Sequence, residues 1–191
     1  ASDVYKRQIG DKVSLILAPA LAACGLKCPM IAGRGLAHTG GTLDKLESLQ
    51  GYDVSLTPEQ ASKMVHTIGC MIGGQTGEIA PADKRMYAIR DVTGLIASTP
   101  LITGSILSKK AAEGLAALVM DIKVGRAAFM QTLDDARVLA KSIVSTGNGL
   151  GISTRVTLTE MDSPIGFAAG NALEVLESVV TLLGSGPADL E

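Results

Sequence analysis

Ala117-Leu118-Val119-Met120-Asp121-Ile122-Lys123-Val124, then Thr132 with Asp135 three residues on, then Thr154 to Thr159, is the run that decides the fold. Its first segment is an apolar stretch of strand length. Thr132 and Asp135 approximate a capping box, and Ala136, Leu139, Ala140, Ile143 and Val144 fall on one helical face. Gly147-Asn148-Gly149 is expected to stop that helix, and Thr154–Thr159 to form the next strand. Apolar strands joined through helices predict a mostly parallel sheet with helices on both faces.

The same alternation continues outward. Towards the amino terminus, Pro100 to Glu113 predicts a helix ended by Gly114, and Pro81 opens a helix to about Val92. Cys70-Met71-Ile72 predicts a strand. Thr57-Pro58-Glu59 supplies an N-cap, a proline at N1 and an early acid for a helix to about Thr67. Thr42 to Gln50 is a further expected helix, Cys28 to Ala32 a buried strand, and Asp11 to Cys24 a helix stopped at Gly25. Towards the carboxyl terminus, Asn171 to Leu183 is the last expected helix. The predicted class is therefore α/β.

Composition narrows the function. In 191 residues, 47% are hydrophobic and 19% charged, with a mean hydropathy of +0.32, so the chain has material for a core and is not disordered. Its 17 basic and 19 acidic residues give a net charge of −2, which argues against coating nucleic acid or an anionic membrane. Aromatic residues at 3%, with no Trp, do not make a base-stacking platform. The longest apolar stretch, Val13 to Leu26, is interrupted by Ser14 and Pro19 and falls short of a membrane span. Cys24, Cys28 and Cys70 form no disulfide framework, and with only His38 and His66 beside them they do not suit structural zinc. Reduced thiols point to a cytoplasmic setting. An opening without Met and an end directly after a helical pattern lead us to expect a piece of a longer chain.

Ligands of open α/β sheets bind beyond the carboxyl ends of the strands. The exit after Cys28–Ala32 reads Gly33-Arg34-Gly35-Leu36-Ala37-His38-Thr39-Gly40-Gly41-Thr42 before a helix. Glycines there bring backbone N–H groups close to an anion, and Thr42 adds a hydroxyl. Gly41 stands where a Walker A lysine would be, and His38 where a third Rossmann glycine would be, so neither nucleotide motif is met. A tight turn that binds nothing is the alternative. A second set is Arg90, Ser105 and Lys109. Ser105 and Lys109 are i and i+4 on one helix. A guanidinium fork, a hydroxyl and an ammonium suit a planar group with two carbonyl oxygens flanking a ring N–H. Separately, Arg90 could cap its helix, Lys109 could be solvated beside Lys110, and Ser105 could be a surface residue. Asp83 suits the first turn of its helix through the dipole, Asp121 is expected to receive backbone or loop donors, and His66 is expected to be structural. No nucleophile-with-base arrangement suggests acyl transfer.

At these residues the chain resembles the thymidine and pyrimidine-nucleoside phosphorylase family. The motifs are Gly33 to Glu47, Gln75-Thr76 with Ala80-Pro81-Ala82-Asp83-Lys84, Tyr87 to Thr93, Ser105 to Lys110, Asp121 to Gly125 and Ala169 to Val175. The resemblance implies reversible phosphorolysis of a pyrimidine (deoxy)nucleoside to free base and (deoxy)ribose 1-phosphate. It requires inorganic phosphate as co-substrate and no redox cofactor. It assigns Arg90 and Lys109 to catalysis, those two with Ser105 to the pyrimidine, and Ser14, Ala32 and Thr42 to phosphate. Some relatives hold a monovalent cation, K+ among the candidates, at positions matching Gly10, Lys12, Ile165, Ala168 and Glu177. Lys12 replaces their hydroxyl, and its ammonium could stand in for the ion. The expected partners are small molecules, neither nucleic acid nor membrane, and the full-length protein is expected to be a homodimer.

The chain also departs from the family. Asp3-Val4-Tyr5-Lys6-Arg7-Gln8 takes the place of Lys-His-Ser-(Ser/Thr)-Gly-Gly, whose Lys and Ser hold phosphate, and Ala32 replaces a phosphate-binding Ser. Residues 1–8 are therefore expected to be a leader foreign to the family, a junction. Residues 9–191 are expected to be a central α/β domain lacking the family's amino-terminal helical and carboxyl-terminal α+β domains. A related anthranilate-type phosphoribosyltransferase, or a catalytically silent fragment of a phosphorylase, are the other readings.

Overall fold

The structure, a computed structural model, describes residues 2–4, 12–34, 40–74, 81–93, 95, 98–126 and 128–191, without the side chains of 2–4, 84, 87, 88 and 90–92. It is α/β, and the described chain divides into two compact units, one of residues 2–4 and 81–162, the other of 12–74 and 163–191. Each unit carries its own parallel sheet, where the sequence suggested one.

The first unit contains β1 (Ser2–Val4), α4 (Pro81–Thr93), α5 (Thr99–Ala112), β4 (Ala117–Val124), α6 (Leu133–Gly149) and β5 (Ser153–Glu160). Its strand order is β1-β4-β5, all parallel, with Ala117 opposite Ser153 and Val124 opposite Glu160. β1 is a strand that the sequence did not suggest, and its register sets Asp3 beside Asp121. Leu118, Met120 and Ile122 project to one face of β4 and pack with Ile102, Ile106 and Leu107 of α5 and Ala136, Leu139 and Ile143 of α6. The alternate residue Val119 is exposed, so the first half of β4 is buried on one face only. At the start of α6, Thr132 Oγ1 accepts from the Asp135 N–H at 3.2 Å, as the sequence suggested.

α6 takes in Gly147 and Asn148 and ends at Gly149, the last residue of the expected stop. A Cβ on Gly147 would lie 2.3 Å from Thr154 Oγ1, so glycine there lets the helix pass against β5. The Asn148 side-chain oxygen accepts from the Thr154 N–H at 3.0 Å, and the turn is made at Gly151, φ +80°.

The second unit contains α1 (Val13–Ala23), β2 (Cys28–Ala32), α2 (Thr42–Leu46), α3 (Pro58–Ile68), β3 (Cys70–Gly74) and α7 (Asn171–Leu182). β2 and β3 pair in parallel from Cys28 opposite Cys70 to Ala32 opposite Gly74. Leu15, Ala18, Met30, Leu43, Leu46, Ile72 and Val175 share its core. α2 is shorter than expected. After Leu46 the chain continues in i→i+3 turns (Ser48 N–H to Lys45 O, Leu49 N–H to Leu46 O), and Ser48 Oγ also donates to Lys45 O at 2.6 Å. Cys24, Cys28 and Cys70 form no disulfide, and burial raises the Cys70 thiol above its ordinary value.

α3 ends at Gly69, φ +94°, where an added Cβ would come 2.9 Å from Ala22 Cβ of α1. Gly69→Ala therefore meets both a left-handed backbone and a blocked space, and should destabilise the protein by about 1–3 kcal/mol. A urea midpoint unchanged from that of the parent would contradict this packing.

Candidate functional site

α4 and α5 carry the residues assigned to the pyrimidine, and a salt bridge joins the two helices. Lys109 Nζ lies 2.9 Å from Asp83 Oδ2 and donates to Ser105 Oγ at 3.3 Å. Helical spacing puts Ser105 and Lys109 one turn apart, so the ammonium folds back over the hydroxyl. Ser105 and Asp83 are buried and Lys109 is half-buried, which rules out the solvated reading of Lys109. The ion pair has contact distance without hydrogen-bond alignment, since Asp83 Oδ2 is buried with no aligned donor among the described residues. A lysine ammonium acts as a point charge and tolerates this. Asp83 is thus a member of the set that sequence reasoning placed only at a helix dipole. The signal available was its position in the first turn of a helix preceding the Ser105 helix. Arg90 lies on α4 two turns beyond Asp83; its side chain is outside the described residues. Lys110 turns away to a separate buried pair with Glu113 at 2.7 Å.

The residues assigned to phosphate lie in the second unit. Ser14 is buried in the first turn of α1, Ala32 ends β2, and Thr42 opens α2. Ala32 and Thr42 come near one another because the Leu43 N–H donates to Gly33 O at 3.5 Å. The Gly41 N–H is already engaged by Asp44 Oδ2 at 2.8 Å. Arg34 forks onto Glu47 at 2.5 and 2.7 Å and reaches Asp44 at 3.3 Å, fixing the β2 exit to α2. Positions 35–39, with His38, and Gln75-Thr76 lie outside the described residues.

The cation positions collect in the same unit. Lys12, immediately before α1, is buried, with Nζ donating to Ala168 O at 2.8 Å and to Glu177 Oε2. Glu177 Oε1 also accepts from the Phe167 and Ala168 N–H groups at 2.9 and 3.1 Å. Burial pushes the Glu177 carboxyl up, but the donors Lys12, Phe167 and Ala168 outweigh it and hold it below the usual carboxylate value. Ile165 is half-buried in the same loop; Gly10 lies outside the described residues. One turn back along α7, Glu174 makes a second buried pair with Lys45 at 2.7 Å, while its Oε1 accepts from the Gly170 N–H at 3.0 Å.

A third polar group stands at the end of the first unit's sheet. Asp121 Oδ1 accepts from Thr159 Oγ1 at 2.6 Å, and Oδ2 pairs with buried Lys123 at 2.8 Å. Asp121 therefore has side-chain partners on the strands, Thr159 and Lys123, rather than the backbone or loop donors expected. His66 Nδ1 is 2.8 Å from Ser62 O, a structural contact within α3. Among the described residues, no helix is long and apolar enough to cross a membrane.

Parallel strands with connecting helices, and a hydroxyl–ammonium–carboxylate set shared by two neighbouring helices, make an α/β domain with a polar cluster on α4 and α5. The chain belongs to the glycosyl transferase family, whose a/b domain it matches over residues 9–186. It is 57% identical over 176 residues to a thymidine phosphorylase of Agrobacterium fabrum, and 56% identical over 182 residues to those of Rattus norvegicus and Homo sapiens. These alignments cover 92%, 95% and 95% of this chain but only 40%, 38% and 38% of those proteins, so the chain spans about two fifths of the relatives it matches.

Two stability outcomes follow. A carboxyl whose value is depressed in the folded state contributes stability above its ordinary value of about 4.3, and that contribution is lost as pH falls through the depressed value. Stability should therefore begin to fall as pH drops through the ordinary carboxylate value and go on falling until Glu177 is protonated below it, and Glu177→Gln should flatten that acid limb in a pH series of urea midpoints. Glu174→Gln leaves Lys45 buried beside a neutral amide and should cost about 3–5 kcal/mol; a loss under 1 kcal/mol in the same assay would mean the pair is not buried in solution.

Proposed function

We propose that this chain is the central α/β domain of a pyrimidine-nucleoside phosphorylase. Such an enzyme cleaves thymidine or a related nucleoside with inorganic phosphate to free pyrimidine and (deoxy)ribose 1-phosphate. The observation that carries the reading is the packed Ser105–Lys109–Asp83 set, with Ser105 and Lys109 only 3.3 Å apart. The likeness to proteins named thymidine phosphorylase supports it.

In this reading phosphate oxygen forms a bond to C1′ while the C1′–N1 bond breaks. The released electron pair spreads over the ring and its carbonyl oxygens, and Lys109 and Arg90 stabilise it as it develops. Ser105 orients the ring. Asp83 is a positioning residue that aims the ammonium. Ser14, Thr42 and the backbone at Ala32 contribute to holding phosphate. One C–N bond is exchanged for one C–O bond without a change of oxidation state, so no redox cofactor enters. The same reading places the protein in the cytoplasm, as a homodimer in its full-length form, acting on small molecules rather than nucleic acid or membrane.

A second reading, that the 191-residue chain by itself is catalytically silent, is favoured by one observation. Asp3 occupies the place of the family's phosphate-holding Lys and lies in register with Asp121. An acidic residue at that place does not supply the positive charge by which the family's Lys holds phosphate.

The test is phosphate-dependent release of thymine from thymidine by the full-length protein carrying this domain. Arg90→Ala and Lys109→Ala should each lower kcat/KM by about 10²–10³. Asp83→Asn should lower it by about 10-fold or more, as loss of a charge-assisted contact does. Unchanged kcat/KM in the Arg90 and Lys109 variants would refute the base-site assignment. Measurable phosphorolysis by the 191-residue chain would refute the second reading.

A further inference from the structure

We infer that Lys12 is a built-in cation, whose tethered ammonium does the structural work of a bound monovalent metal ion. The oxygens around it form a ligand set for a hard monovalent cation: the Ala168 carbonyl at 2.8 Å and the Glu177 carboxylate. The Lys12 side chain has no exposed surface, and that of Glu177 is 12% exposed. A potassium ion on the same two oxygens would stand beside a like charge with little water to screen it. The residues present therefore do not fit a metal ion at this position. They fit an ammonium, which carries the same single charge and takes oxygen ligands at similar distance.

The surroundings show what the ammonium holds in place. Glu177 gathers the Phe167 and Ala168 N–H groups, and Gly166, φ +71°, passes so close that a Cβ there would meet Glu177 Oε2 at 2.4 Å. Gly166 N–H also donates to Asp189 Oδ2 at 2.8 Å. Lys12 joins this loop and α7 to the entry of α1, where Lys12 O accepts from the Leu15 N–H at 2.9 Å. Ser14 lies in that first turn of α1. The turn is thus set by a charge that is part of the chain. A dissociable ion stabilises a fold by an amount that grows with the logarithm of its concentration once above its Kd, whereas a covalently attached charge does so at any salt composition.

The experiment is thermal unfolding of the full chain in potassium chloride and in choline chloride at equal ionic strength. The unsubstituted protein should have the same midpoint in both salts. Lys12→Thr removes the ammonium and leaves a hydroxyl and room for an ion. Its midpoint should be lowered by several degrees in choline and recover as potassium rises. Two results would overturn the inference: a midpoint of the unsubstituted protein that climbs saturably with potassium, because an ion then binds despite Lys12, or a Lys12→Thr midpoint indifferent to potassium. Since the first needs no variant, the inference remains open to refutation even if Lys12→Thr folds poorly.

Discussion

Burying a charge is costly unless an opposite charge is buried with it, and that constraint organises the unit that carries Ser14, Ala32 and Thr42. Lys12 and Lys45 are both buried there, and both are met by carboxylates of one helix. Glu177 and Glu174 lie three residues apart on α7, on one face, so the helix is held to the entry of α1 and to α2 by two ionic contacts. Each carboxylate also collects backbone N–H groups of the preceding loop, at Phe167 and Ala168 for Glu177 and at Gly170 for Glu174. Apolar packing of Leu15, Leu43 and Val175 brings the three helices together, and the ion pairs determine how they meet.

The other unit uses a buried charge differently. Asp83 contacts the ammonium of Lys109 while Ser105 lies beneath it, so the cationic head is held in place by its own chain. The cationic head remains half-buried, and the acid that aims it is more deeply enclosed. Lys110, its sequence neighbour, is spent on Glu113. Adjacent lysines on one helix thus have separate partners because a step of one residue turns the side chain by about 100°.

Much of the fold was legible. β2 and β4 have the expected bounds, and α3, α5 and α7 begin or end within one residue of their expected limits, because capping residues, prolines and left-handed glycines act locally. The misreadings arose where a distant element intervened. Gly147 lies inside the last turn of α6 with Thr154 in the space a Cβ would take, and nothing near Gly147 in sequence reports that close approach. β1 has no local signature and is a strand through its pairing with β4. Of the candidate site, the i, i+4 placement of Ser105 and Lys109 was readable, and the pairing of Lys109 with Asp83 was not, since 26 positions separate them.

The sequence by itself determined the alternation of strands and helices, the positions of the polar groups along each, and a family resemblance dense enough to suggest a chemistry. Those depend on residue type and spacing over a few turns. Only the tertiary structure decided which charges share a burial site: Lys12 with Glu177, Lys45 with Glu174, Lys109 with Asp83. The physical reason is that an ion pair forms through space. Its partners are chosen by how apolar faces pack, and charge spacing along the chain carries no record of that choice.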